Sequence, residues 1–333
     1  MALIIKCSNN LVTDYYLELV GRSLSDNDLF VQYTNDIRDA YSLNKDELIV
    51  VARLLDAFKL ILKRYKRVII WFQGVEPEES FLIHKSRMRL LLLNAIERLV
   101  FKNTVFHLFV SDEMKKHFDI KYNTINRRIP SFVMPCFNTD LNKEAFEPTD
   151  KYINNVFSYI GSLAEWQKYD ETIKLYKTIE ESGLPNCELW VLTKEIEKAT
   201  RIIEKYHVSN YKVDFIGNDE LSSYLGRAKY GFIIRDDNVV NQVATPTKIS
   251  TYLSCGIIPI YSKCLKDFDA IASSMRFKIC MDDDVLEQLF IFEASSISNQ
   301  EILSEYESVF NKYYNGIYYQ KLLTSHFKNF LSE

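Results

Sequence analysis

Residues 241–261, NQVATPTKISTYLSCGIIPIY, decide the fold. Thr245 reads as an N-cap and Pro246 as the first helical residue, where a missing N–H does no harm. A helix over 246–255 follows, with Ile249 and Leu253 four apart on one face. Gly256 stands where a left-handed residue ends a helix, and 257–261 reads as a short buried strand. The apolar run 230–234 reads as another strand, so the unit is strand, polar loop, helix, strand. Lys248 lies in the first helical turn, where partial positive charge disfavours a cation. Two readings stay open. Its ammonium and the free N–H groups converge on an anion, most simply a phosphate, or it is a solvated lysine that tolerates the dipole.

A length of 333 residues suggests two domains. An apolar content of 47% with 26% charged residues describes an ordinary soluble protein, and a net charge of −4 argues against a nucleic-acid binder. The opening MALIIKCSNN is too short and polar for a signal peptide, and no apolar run is long enough to cross a bilayer. The six cysteines (Cys7, Cys136, Cys187, Cys255, Cys264, Cys280) are scattered without a CxxC pair, as expected of reduced thiols in a cytoplasmic protein. Five histidines without ligand spacing predict no metal site.

In the first half, strands are expected at 3–6, 29–33 and 68–72 and helices at 10–24 and 46–65. This β-α-β-α-β order argues for a parallel sheet covered on both faces. The loop after 68–72 holds Gln73, Gly74, Glu76, Glu78 and Glu79 at the ligand-facing edge of such a sheet. These carboxylates either meet acceptor hydroxyls or complement the N-terminus of the next helix. That helix, 80–102, carries His84, Lys85, Arg87, Arg89, Arg98 and Lys102 among leucines. It is either a peripheral membrane contact or a core helix with a charged outer face. Further elements are a strand at 105–110, a helix at 112–118 and a strand at 131–136. Neither GxGxxG nor a P-loop occurs.

The polar stretch 137–154 reads as a linker, dividing the chain into domains at 1–150 and 151–310, with a C-terminal helix over 311–333 packing across them. In the second domain, strands at 156–160, 188–192, 213–216 and 230–234 alternate with helices at 170–181, 195–206 and 221–228. Three strand ends converge on one edge: Gly161-Ser162, Gly217-Asn218, and the segment 241–248. Glycines that simply close turns explain the first two almost as well. Arg235, at a strand end, is placed to share phosphate charge with Lys248. Asp236-Asp237 reads as a loop turn, and Asp282-Asp283-Asp284 as an N-cap cluster.

The segments YIGSLAEWQKYDETI (159–173), VDFIGNDELSSYL (213–225) and ATPTKISTYLSCGIIPI (244–260) resemble GT-B retaining glycosyltransferases of family 4 over about 110 residues. A weaker likeness rests on WFQGVEPEES (71–80) and FVSDEMKKH (109–117). The resemblance implies two doubly wound, Rossmann-like α/β domains facing a cleft. It implies transfer of a sugar, with retention and without a metal or other cofactor, from a nucleotide-diphosphate donor. The acceptor would be a glycan or lipid-linked glycan of bacterial surface-polysaccharide synthesis, met by the first domain at the inner membrane face. It assigns Gly161, Ser162 and Gln167 to the diphosphate and donor side, Gly217 and Asn218 to the base, Lys248, Thr247 and Arg235 to phosphate, and Asn241 and Gln242 to the donor sugar. Many members bind ribose through a glutamate where this chain has Thr251, with a partner glutamate where it has Val243. Asn241, Gln242 and Asn218 would then hold ribose and sugar. The alternatives are a non-catalytic sugar-nucleotide-binding partner of another transferase, and a nucleotide-sugar epimerase of the same fold.

Overall fold

The computed structural model describes residues 1–6, 11–122, 129–137, 139–148, 150–295 and 297–332, without the side chains of 11, 12, 218 and 219. Cys7 therefore lies outside the described residues, and Cys187, Cys255, Cys264 and Cys280 are free thiols. The chain divides into two units, Met1–Cys136 with Asn315–Glu333, and Phe137–Tyr314. Residues 137–150, placed with the first domain by the sequence reading, thus cluster with the second.

The first unit runs β1 (Ala2–Ile5), α1 (Leu11–Ser25), β2 (Val31–Thr34), α2 (Ile37–Ala40), β3 (Leu48–Val51), α3 (Leu54–Leu62), β4 (Arg67–Phe72), α4 (Glu76–His84), α5 (Arg87–Asn103), β5 (Phe106–Phe109), α6 (Asp112–Tyr122) and β6 (Ser131–Val133). The strands form one parallel sheet in the order β2-β1-β3-β4-β5-β6. Two sequence expectations change here. The single helix over 46–65 is a strand followed by a helix. Every residue of β3 is buried, between β1 (Ala2 opposite Leu48) and β4 (Leu48 opposite Arg67). A strand covered on both faces shows no alternation, and the run LIVVARLLDAFKLIL holds no glycine or proline to mark the break. The helix over 80–102 is also two. α4 ends at Lys85, in the left-handed region at φ +51°, and Ser86 opens α5 by accepting the Arg89 N–H.

The second unit runs β7 (Asn155–Ile160), α7 (Tyr169–Glu181), β8 (Cys187–Leu192), α8 (Ile196–Lys205), β9 (Tyr211–Asp214), α9 (Asn218–Leu225), β10 (Tyr230–Ile233), α10 (Val239–Gln242), α11 (Thr247–Ser254), β11 (Ile258–Tyr261), α12 (Lys266–Ala272), β12 (Ile279–Cys280), α13 (Val285–Ala294) and α14 (Asn299–Tyr313). Its sheet is parallel throughout, in the order β12-β11-β10-β7-β8-β9. The chain builds β7, β8 and β9 to one side, then returns to lay β10, β11 and β12 on the other. The reversal falls between β7 and β10, and such a switch point opens a crevice beyond the carboxyl ends of the strands. Asp284 caps α13 by accepting the Glu287 N–H at 3.0 Å, as its acidic run predicts. The last helix, α15 (Gly316–Ser332), belongs to the first unit: Asn27 Nδ2 donates to Thr324 O at 2.9 Å, and Phe327 packs 5.1 Å from Phe106.

Candidate functional site

The centre of the second unit's crevice is α11. Its C-terminal end is heavily fastened. Cys255 is the C-cap, Gly256 takes φ +69°, and the N–H groups of Gly256 and Ile257 bond Leu253 O and Tyr252 O, a Schellman closure. A Cβ on Gly256 would stand 2.8 Å from both Phe146 Cε1 and Tyr152 Oη, so only glycine fits. Lys151 is buried; its Nζ donates to Ala145 O and Cys255 O, and the Tyr152 hydroxyl donates to Gly256 O at 2.7 Å. Burial lowers the Lys151 ammonium to about 7. Midway, the Tyr252 hydroxyl donates to Ser158 O and accepts the Ile160 N–H, both at 3.2 Å, tying the helix to the end of β7. Its ring takes the room a Cβ on Gly231 would need.

The N-terminal end is left open. Pro246, not Thr245, is the N-cap, and its side chain makes no cap hydrogen bond. A residue before proline is held extended, so the helix cannot begin at Thr245, and proline has no side-chain oxygen to offer. Lys248 stands in this first turn. Its Nζ donates to Gln167 Oε1 at 2.5 Å and lies 4.5 Å from the centre of the Tyr159 ring. It also fills the place of a side chain at Gly161: a Cβ there would stand 2.8 Å from Lys248 Cε and 3.1 Å from Nζ. Gly161 has φ +110°, a conformation that L side chains resist. Burial, and then the Arg235 guanidinium, push the Lys248 ammonium well below the ordinary lysine value. Arg235 is itself buried, which lowers its guanidinium; Nη1 donates to Ile234 O at 3.3 Å. Among the described residues, neither cation is paired with a carboxylate.

A pocket of about 510 Å³ opens at this point, within the range of small-ligand sites. Gly161 and Ser162 line it from the end of β7, Thr193, Lys194 and Glu195 from the end of β8, and Phe215 and Ile216 from the end of β9. Thr247, Lys248 and Thr251 supply the α11 wall. Sequence reasoning brought five of these together, Gly161, Ser162, Thr247, Lys248 and Thr251, with Gln167 held on Lys248. It missed the β8 residues, which carry no motif, and Phe215, which lies in the segment 213–225 but was not singled out. The available signal was position alone, directly after a strand of the same sheet.

Of the other proposed donor residues, Gly217, Arg235, Asn241 and Gln242 are not among the lining residues. Gly217 is the N-cap of α9 and is not among the lining residues, and the Asn218 side chain lies outside the described residues. Asn241 is buried with its amide donating to Asp236 O at 2.9 Å, and Gln242 donates to Asp237 Oδ1 at 2.7 Å. Both amides close the loop after β10, and neither lines the pocket. Asp236 pairs with Lys168 at 2.9 Å, consistent with a loop turn. In the first unit, Glu76 Oε1 accepts the Leu54 N–H at the start of α3 (3.0 Å), Glu79 Oε1 accepts the Val75 N–H (3.1 Å), and Glu78 pairs with Lys121 at 2.8 Å. Burial raises Glu76 and Glu79 above the ordinary carboxylate value. Gln73 accepts from the Thr13 hydroxyl at 3.0 Å, and Gly74 leaves room for Glu79, whose Oε1 would lie 1.9 Å from a Cβ there. Two of these carboxylates thus satisfy helix N-termini, and the third is in an ion pair.

No protein-family model matches the sequence, and no curated protein matches it. Solved structures do. A sucrose-phosphate synthase from Thermosynechococcus elongatus is similar at a TM-score of 0.70 and 11% identity, over 99% of each chain. HepE from Anabaena, solved with UDP-glucose, is similar at 0.67 and 10% identity, over 98% of this chain and 99% of that one. A UDP-forming α,α-trehalose-phosphate synthase from Burkholderia vietnamiensis is similar at 0.63 and 10% identity, over 96% of this chain and 78% of that one. At such identities the likeness is one of fold: two parallel six-stranded sheets with flanking helices, the GT-B-like, Rossmann-like pair of domains found in these glycosyltransferases.

Proposed function

We propose that the chain is a glycosyltransferase that binds the diphosphate of a nucleotide-sugar donor between Gly161 and the N-terminus of α11. The observation that carries this reading is Lys248, half-buried on the pocket wall near the buried Arg235 and bonded to Gln167 rather than to a carboxylate, in the first turn of a helix whose N-cap is a proline. An unpaired buried charge is costly, and a doubly charged phosphate ligand offsets that cost for both cations together. Breaking the bond between the anomeric carbon and the diphosphate oxygen leaves negative charge on the departing diphosphate. Lys248, Arg235 and the Thr247 and Lys248 N–H groups stabilise that charge where it develops, so no metal is required of the reaction. The acceptor oxygen forms the new bond to the anomeric carbon, and its proton passes to the departing diphosphate. Retention at the anomeric carbon, and an acceptor that is a glycan or lipid-linked glycan of bacterial surface-polysaccharide synthesis, follow from the resemblance to family 4.

Incubation with a panel of nucleotide sugars and acceptor mixtures, read as release of nucleoside diphosphate, tests the reading. Turnover that disappears in Lys248→Ala supports it. Tight binding of nucleoside diphosphate without turnover points instead to a non-catalytic partner of another transferase, a reading favoured by the amides of Asn241 and Gln242, both engaged within the loop after β10. An isomerised donor without acceptor points to an epimerase.

We also propose that α5 rests on the anionic cytoplasmic face of a membrane. Met88, Leu91 and Leu92 are 83%, 70% and 62% exposed, and with Ala95 and Leu99 they recur on one helical face. Arg87 and Arg98 are exposed beside them, while the one carboxylate of α5, Glu97, is buried against Lys121 and Tyr122. An apolar stripe edged by cations and free of exposed acids suits an interfacial helix. No helix of the described residues is long and apolar enough to cross a membrane.

A further inference from the structure

Among the described residues, the pocket holds one carboxylate. Its polar lining side chains are Ser162, Thr193, Lys194, Glu195, Thr247, Lys248 and Thr251, and among these Glu195 alone can only accept hydrogen bonds when ionised. The backbone explains why it faces the pocket. Glu195 is the N-cap of α8, yet its side chain makes no capping bond there. Its own N–H donates to Thr193 Oγ1 at 3.2 Å, and Oε2 reaches across to accept the Leu163 N–H, beyond the end of β7, at 2.6 Å. Oε1 keeps a long contact with Lys198 at 3.5 Å, and the side chain is 40% exposed. Thr251, by contrast, spends its hydroxyl on Thr247 O at 3.0 Å, within its own helix.

Strand order gives the pocket a direction. β7, β8 and β9 are adjacent, about 4.8 Å apart, so their carboxyl ends form a row of roughly 10 Å. At the β7 end stand Gly161 and Lys248, with Arg235, after the neighbouring β10, near Lys248 but outside the pocket lining. At the β9 end stands Phe215, 52% exposed, with the Lys194 ammonium 5.2 Å from its ring centre. Glu195 lies between them. A nucleoside diphosphate has the same sequence of chemistries: diphosphate, ribose diol, aromatic base. With the diphosphate on the cations, the middle of the row falls to the ribose, whose two hydroxyl groups are donors in search of an acceptor. A carboxylate is the strongest acceptor a side chain offers them.

We propose that Glu195 is the specificity-determining residue for the sugar of the nucleotide: its carboxylate, aimed by the Leu163 N–H, receives the ribose hydroxyls, a role that α11 does not fill through Thr251. The inference rests on the donor reading of this pocket. The test measures, by calorimetry, binding of uridine, guanosine and adenosine 5′-diphosphates and of their 2′,3′-dideoxy counterparts to wild type, Glu195→Gln and Lys248→Met. Wild type should bind its preferred nucleotide about tenfold or more tightly than the dideoxy form, the loss expected for a hydrogen bond to a charged group. Glu195→Gln should bind the two within about threefold, while a Lys248→Met protein, weaker on both, should keep the discrimination. Undiminished discrimination in Glu195→Gln, with the melting point of the free variant unchanged, overturns the role of Glu195 and leaves the donor pocket standing. Binding of every nucleotide that is indifferent to Lys248→Met overturns the pocket reading itself, and this inference with it.

Discussion

Replacing Lys248 by methionine should move stability and ligand binding in opposite directions. The methionine keeps the aliphatic stem that fills the space over Gly161 and removes an ammonium that burial and Arg235 both disfavour. The free variant should therefore melt no lower than wild type, despite the lost bond to Gln167. Binding should suffer. A nucleoside diphosphate at about a hundred times its Kd stabilises wild type by about 2.7 kcal/mol. At roughly 2–4 °C per kcal/mol for a unit of this size, the melting point rises by ~5–11 °C. A hydrogen bond to a charged group contributes about 1.5–3 kcal/mol, so the variant's Kd should weaken by ~10–150-fold. At the same ligand concentration only about 0.3–1.4 kcal/mol of stabilisation remains, a rise of ~1–6 °C. The sign with pH follows. The ligand binds the protonated lysine, so in wild type the effect is full below the depressed value of Lys248 and fades as pH rises through it; in the variant this fading is absent. Thermal melts with and without nucleoside diphosphate, across pH, read all three quantities. A Lys248→Met protein that keeps the wild-type ligand shift, or whose free form melts well below wild type, refutes the reasoning.

Gly161→Ala should lower the melting point and weaken nucleotide binding together, since the new Cβ meets Lys248 at 2.8 Å on a backbone at φ +110°; the strain is about 1–3 kcal/mol, read by urea denaturation. Lys151→Met should flatten the pH dependence of stability. The folded value of about 7 lies below the unfolded ~10.4, so the unfolded chain binds the extra proton and wild-type stability climbs between these limits by up to about 1.4 kcal/mol per pH unit, a slope that urea titrations at successive pH values should find reduced in the variant. Arg87→Glu with Arg98→Glu should abolish sedimentation with vesicles rich in anionic lipid, and Leu91→Ser with Leu92→Ser should weaken it; unchanged sedimentation of both removes the membrane proposal.

Where each helix ends was legible in proportion to how much of its signal is local. The Schellman closure at Gly256 and the cap at Asp284 depend on residues a few positions apart, and both stand where the sequence puts them. β3 was not legible, because its evidence is its neighbours: a buried strand between β1 and β4 looks like helix until the sheet is known. The site divides in the same way. Lys248 announced itself as a cation against a helix dipole, and Gly161 as a glycine after a strand. What the sequence could not show is that they touch, and that Gly161 is glycine because Lys248 occupies its side-chain space. In the acidic loop the reading as helix N-terminal complements holds for Glu76 and Glu79, but not which helix each would serve. Glu76, Glu78 and Glu79 look like chemistry, yet their partners, Leu54, Lys121 and Val75, come from three places, two of them distant in sequence.

These facts give α11 a division of labour between its two ends. The C-terminal end is held by the Gly256 closure, Lys151, Tyr152 and the Asn142 N–H on Ser254 O, and the middle by Tyr252 on β7. Of these bonds only the Ile160 N–H on the Tyr252 hydroxyl touches a residue that lines the pocket; the rest lie outside it. The N-terminal end has a proline N-cap that makes no cap hydrogen bond, a half-buried ammonium and a buried guanidinium without a counter-ion among the described residues, each unfavourable by itself. A helix free to shift would relieve that strain by turning Lys248 to solvent or recruiting a cap. Because the far end is fixed, it does neither, and the positive end stays aimed at Gly161 before any anion arrives. Binding then requires no rearrangement of α11, and the stability given up at one end of the helix is recovered as affinity.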